Sequence, residues 1–208
     1  MREAKYIAAV DIGGTNCRAQ IFRTSDQGIS PASEPALEPI GDPETDTAII
    51  ATIKTAITRT AAHGLDFDFI GVAGPGPINE KAQQFYNPGN LPGIAGCALP
   101  AELNGIFNLP CYLIRDTFAA VLAEWRFGAG QKKSHVIYVT VSSGIGAGVI
   151  ANNVLVKGYK GIGGEFEGVL HLQPQYGGVL RTVLQHGSGW CDSRNDEPPL
   201  HADNSSRF

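Results

Sequence analysis

KYIAAVDIGGTNCRAQIF, Lys5 to Phe22, is the stretch from which the rest of the chain is read. An apolar run from Tyr6 to Val10 meets an acid, Asp11, and then Gly13, Gly14 and Thr15. Alternation resumes at Cys17, Ala19 and Ile21, so the pattern is strand, tight turn, strand. Two residues without side chains let the backbone approach a ligand closely and aim N–H donors at it. Thr15 adds a hydroxyl, and Asp11 suits a hydrated cation. The combination suits a polyphosphate, although an ordinary β-hairpin turn accounts for the same residues taken alone.

Working outward, 208 residues allow a substantial core in one or two domains. A hydrophobic content of 43% with 17% charged residues is that of a soluble globular chain. The net charge of -4, with no long basic run, argues against nucleic acid or an anionic membrane surface as the main partner. Cys17, Cys97, Cys111 and Cys191 are widely spaced and form no C-x-x-C pair, so neither structural zinc nor a disulfide framework is expected. No apolar run suits a signal peptide or a membrane span, and a cytoplasmic location is the expectation.

Along the chain, Ile29 to Ile40 is a loop or an irregular third strand. A helix follows, capped by Asp42 or Thr45, with Ala48, Ile49, Ile53, Ala56 and Ile57 on one face and an end at His63-Gly64. Phe67 to Ala73 is a buried strand stopped by Gly74 to Pro77, GPGP. The long polar segment from Ile78 to Gly93 ends in NPGNLPG, where Asn90 is either a turn residue or an amide offered to a ligand. A short helix near Pro100 to Phe107 precedes a strand, Cys111 to Ile114, and a second long helix starts at Thr117. Asp116 therefore sits where a strand becomes a helix, a position that faces the ligand crevice of an open α/β sheet and also suits a helix cap. Val136 to Val141 then runs into SSGIGAG, Ser142 to Gly148, and another strand, repeating the opening pattern. Two such bends suggest two similar half-structures presenting glycine turns to one phosphate chain. Because a strand follows each bend and no G-K-[ST] is present, neither a Rossmann fingerprint nor a Walker loop fits. Glu165 lies in a further glycine-rich segment, GYKGIGGEFEG.

In this order and spacing, DIGGTNCR, GVAGPGP, NPGNLPG, RDTFAAVLAEWRFGAG, SSGIGAGV and GYKGIGGEF resemble the ROK family of sugar kinases, from about Tyr6 to Glu165. The resemblance implies an α/β fold: an actin-like ATPase (ribonuclease H-like) domain over residues 1–115 and the start of a second domain of the same type over 116–171. Residues 172–208 form a polar tail, possible as a disordered or foreign ending of a shortened chain. It further implies that Gly13, Gly14 and Thr15 form one phosphate loop and Ser142, Ser143, Gly144 and Gly146 the other. Asp11 would position Mg²⁺ through water, and Asp116 would be the general base of an ATP-dependent transfer. Gly74, Pro75, Asn90, Arg115, Asp116 and Glu165 would form the sugar pocket. A hexose or hexose derivative, phosphorylated at its 6-hydroxyl by a homodimer, is the implied substrate and assembly. A non-catalytic, sugar-binding or oligomer-forming remnant is the alternative.

The chain departs from the family pattern at several points. Arg115 stands where the family usually has Asn, and Phe118 stands where Asn is common. Arg is larger and offers no acceptor, which bears on sugar choice. The family's Glu-x-Gly-His reads Glu165-Phe166-Glu167-Gly168, with His171 three residues late, and the cysteine-rich zinc motif is missing.

Overall fold

The computed structural model describes residues 5–26, 28–61, 64–141 and 145–164. Ser142, Ser143, Gly144, Glu165, His171, Cys191 and the tail fall outside them. Among the described residues, six strands form one sheet and three form another. In the first, β1 (Lys5–Ile12) pairs antiparallel with β2 (Asn16–Ser25), which carries the short strands β3 (Gly28–Pro31) and β4 (Ala36–Pro39) on its far side. The ambiguous Ile29 to Ile40 segment is thus two strands separated by a kink. On its other edge β1 pairs in parallel with β5 (Phe69–Gly74), and β5 in parallel with β8 (Cys111–Arg115).

The alternation read in β2 is real: Cys17, Ala19 and Ile21 are buried, while Asn16 and Arg18 face solvent. Helix α1 (Asp46–Thr60) covers that inner face with Ile49, Ile53 and Ile57, each fully buried. Burying a side chain of this size contributes roughly 1.5–3 kcal/mol. The helix ends at Thr60, before the expected His63-Gly64, and the Thr60 hydroxyl donates to the Glu34 carbonyl. Thr45 occupies the N-cap position without a side-chain cap bond. Helix α2 (Leu99–Phe107) buries Leu99, Pro100 and Leu103, then stops at Asn108, whose φ of 53° is a left-handed helix ending.

Strand β8 lies at the edge of the first sheet, where backbone groups need partners. Gln83, between the two-residue strands β6 (Ile78–Asn79) and β7 (Gln84–Phe85), supplies them: its amide donates to the Leu113 carbonyl and accepts from the Leu113 N–H at 2.7 Å. Helix α3 (Asp116–Phe127) follows β8 directly and packs on β9 (Val136–Val141) and β10 (Ile145–Ala151). The β10–β11 hairpin turns on Asn152 and Asn153, with φ of 50° and 62°, before β11 (Val154–Leu155); positive φ at both central residues is the tight hairpin turn that Asn tolerates. The face of β9 away from α3 exposes Ile137, Val139 and Val141.

Candidate active site at the ends of the parallel strands

The parallel register brings the site residues to one edge. Asp11 of β1 stands level with Ala73 of β5, and Ala73 with Ile114 of β8; Gly74 pairs with Arg115. Asp116 is the next residue, and the first of α3. Carboxyl ends of parallel strands are where open α/β sheets bind ligands.

Asp116 is half-buried, and its Oδ1 accepts the N–H of Thr117 at 2.6 Å. Burial holds its carboxyl above the usual carboxylate range. The Thr117 amide and the Arg115 guanidinium oppose that rise, whereas the negative charge of Asp11 adds to it. Asp11 itself is exposed, at the carboxyl end of β1 on the same edge of the sheet. A carboxylate with a raised proton affinity suits proton removal from a hydroxyl.

The first bend, residues 13–15, is exposed, and the Gly13 N–H closes it on the Asn16 carbonyl at 2.9 Å. The Asn90 loop lies against it: a Cβ on Gly14 would come 2.9 Å from the Asn90 Cβ. That juxtaposition requires glycine at position 14 and places Asn90 beside the glycine bend. At the other side, Gly74 is buried against Phe85, where an added Cβ would meet the ring at 2.9 Å; Pro75 is half-buried beside it. The edge therefore brings together Asp11, Gly14, Gly74, Pro75, Asn90 and Asp116.

Two expectations change. Gly146 is not part of a bend: it lies in strand β10, opposite Thr140, and its missing Cβ makes room for the Thr117 methyl at 3.1 Å. Gly148 does the same more severely, because a Cβ there would sit 2.2 Å from the Thr117 carbonyl oxygen. Both glycines let α3 lie close on β10, and Ser142, Ser143 and Gly144 of the expected second bend lie outside the described residues. Arg115 is the other change. Only 2% exposed, it directs its guanidinium into the protein rather than to an open cleft. Nε donates to the Thr117 hydroxyl at 2.7 Å, and the terminal nitrogens donate to the carbonyls of Ala147, Gly161 and Gly163. These bonds turn Arg115 inward, whereas the resemblance implied a sugar contact.

For a phosphate-bound Mg²⁺ the chemistry fits: such an ion keeps several waters and takes one or two carboxylates, and Asp11 is an exposed carboxylate beside the glycine bend. Among the described residues no three His, Cys, Asp or Glu side chains cluster as a metal site. No helix among them is long and apolar enough to cross a membrane.

The ROK family model matches residues 7–181 of this chain. The chain belongs to the ROK family. It is 33% identical over 156 residues to N-acetylmannosamine kinase of Yersinia pseudotuberculosis, covering 75% of this chain and 51% of that one. Among solved structures it is similar to the ROK family glucokinase of Streptomyces griseus in complex with glucose and AMPPNP, with 27% identity and a TM-score of 0.68, over 79% of this chain and 49% of that one. It is also similar to the ROK hexokinase of Thermus thermophilus, with 28% identity and a TM-score of 0.65, over 77% and 52%. The chain thus spans about half the length of these three relatives, each named as a sugar kinase.

Proposed function

We propose that the protein phosphorylates a hexose or hexose derivative from ATP, at the 6-hydroxyl, with Asp116 as general base. The observation that supports this most is the placement of Asp11 at the carboxyl end of β1, beside the glycine bend, and of Asp116 immediately after β8 on the same edge of the sheet. Phosphoryl transfer needs mainly positioning and charge neutralisation, with a carboxylate in reach of the acceptor hydroxyl. In this reading Gly13, Gly14 and Thr15 face the phosphates and Asp11 holds Mg²⁺ through water; the ion would offset charge on the transferring group. Asn90, Gly74, Pro75 and Glu165 bound the sugar, and Asp116 takes its proton. Ser142, Ser143 and Gly144 form the second phosphate bend. A cytoplasmic homodimer is the proposed setting.

A coupled assay of ADP release over a panel of hexoses and N-acetylhexosamines tests it, with ³¹P NMR to locate the phosphate on the product. The proposal expects turnover of at least one sugar and a phosphate on the 6-hydroxyl. Arg115 and Phe118, standing where the family pattern usually has Asn, favour a second reading, sugar binding without turnover. Calorimetry showing sugar uptake but no phosphorylation would select it.

A further inference from the structure

Arg115 joins three pieces of the site that are far apart in the chain. Its own position ends β8, immediately before Asp116. One terminal nitrogen donates to the Ala147 carbonyl of β10 at 2.7 Å and to the Gly163 carbonyl at 2.6 Å; the other donates to the Gly161 carbonyl at 3.3 Å. The glycine segment 158–164 leads to Glu165, and Gly158, Gly161 and Gly164 hold φ of 70°, 74° and 82°, which L side chains rarely adopt. That segment is also tied to β10 directly, since the Ala147 N–H donates to the Gly164 carbonyl at 2.9 Å. A Cβ on Gly164 would lie 2.1 Å from the Ala147 oxygen and 3.3 Å from the Arg115 guanidinium, so the seat admits glycine alone.

The same guanidinium reaches Asp116 through Thr117. Nε donates to the Thr117 hydroxyl, and the Thr117 N–H donates to the Asp116 carboxylate. Below it, the Phe118 ring supports the cation at 4.1 Å, and Phe118 is itself buried. A planar fork with donors on all three nitrogens can serve these separate acceptors at once; the single ammonium of Lys cannot reproduce that geometry.

We infer that Arg115 is a positioning residue that holds the Asp116 carboxylate and the 158–164 segment as one unit. The seating of that segment and proton removal by Asp116 then depend on one buried guanidinium. The catalytic half of this inference rests on the proposed function; the mechanical half does not.

Amide hydrogen exchange of Arg115→Gln and Arg115→Lys, compared with the parent chain, tests the mechanical half without turnover. Three N–H groups report on the unit: Thr117, bonded to Asp116; Ala147, bonded to Gly164; and Gly163, bonded to the Lys157 carbonyl. In Arg115→Gln all three should exchange at least about tenfold faster, the amount expected when a local opening loses about one charged hydrogen bond, while β1 and β5 amides stay protected. Arg115→Lys should fall between. Parent-like exchange at the three amides in either variant overturns the inference. If Arg115→Gln loses protection throughout, Arg115→Lys alone decides by the same criterion. Where the parent phosphorylates sugar, Arg115→Gln should lower kcat and raise the sugar KM together; a change in neither, with the amides loosened, overturns the catalytic half. A parent chain without turnover would count against the proposed function and leave the exchange result to judge the clamp.

Discussion

Substituting Gly148 by Ala tests how the helix carrying Asp116 at its start is seated. The added Cβ would lie 2.2 Å from the Thr117 carbonyl oxygen, 2.6 Å from Val121 Cγ1 and 2.8 Å from Val121 Cβ. An ordinary carbon–oxygen contact is at least about 3.3 Å, so α3 must retreat by roughly 1 Å. The obstacle is backbone and a fully buried, β-branched side chain, neither of which swings aside. Overpacking of this kind costs typically 1–3 kcal/mol, and a backbone clash belongs at the upper end, about 3 kcal/mol. For a chain of this size about 1 kcal/mol corresponds to roughly 2–4 °C, so the melting temperature should drop by ~6–12 °C. The retreat also carries Thr117 and Asp116 with it, and a ~1 Å misplacement of a reacting group can cost about 10²-fold in rate. The control is Gly105→Ala: Gly105 is inside α2, exposed, with nothing within 4 Å of an added Cβ. That change should stabilise by about 0.5–1 kcal/mol. Thermal melts by circular dichroism read both. A Gly148→Ala chain melting with the parent would refute the packing of α3 on β10.

Asp116→Asn should stabilise the fold at neutral pH. A carboxyl whose proton affinity is raised on folding penalises the folded state once pH passes its unfolded value, and the penalty is complete above the folded value. The amide removes that penalty, so the melting-temperature gain should be present at pH 7 and vanish near pH 3; a gain that grows towards acid would contradict the sign. Cys17 and Cys111, both pushed up to about 12 chiefly by burial, should resist iodoacetamide at pH 8 and label only after unfolding, as read by peptide mass mapping. Rapid native labelling of either would place it outside the core. Arg59→Ala removes an ion pair with Glu38 in which Arg59 is 61% exposed, so denaturant titration should show a loss below about 1 kcal/mol.

Much of this fold was readable because its signals are local. The alternation of Cys17, Ala19 and Ile21 marks a half-buried strand, and the 3.6-residue spacing of Ile49, Ile53 and Ile57 marks a helix face. The strand-to-helix junction at Asp116 showed as an apolar run meeting an acid. What stayed hidden depends on distant partners. Glycine serves turns and close packing alike, so Gly146 and Gly148 look like bend residues until Thr117 and Val121 are seen against them. Arg115 carries an ordinary label in sequence, yet two of its acceptors lie 46 and 48 residues away. A charge ending the strand CYLIR was the available clue: a buried Arg must be bonded, and within an apolar strand its partners must come from elsewhere. Gln83 gave no signal at all, since its service to the β8 edge depends on a left-handed φ of 54° and a strand 30 residues on.

The most direct test of the central claim is the ratio of sugar phosphorylation rates between the parent chain and Asp116→Asn at saturating Mg-ATP, with sugar affinity measured alongside by calorimetry. A carboxylate base at the ends of β1, β5 and β8 predicts a fall of about 10²–10⁴-fold in turnover with sugar binding retained. Equal rates in the two proteins would contradict it.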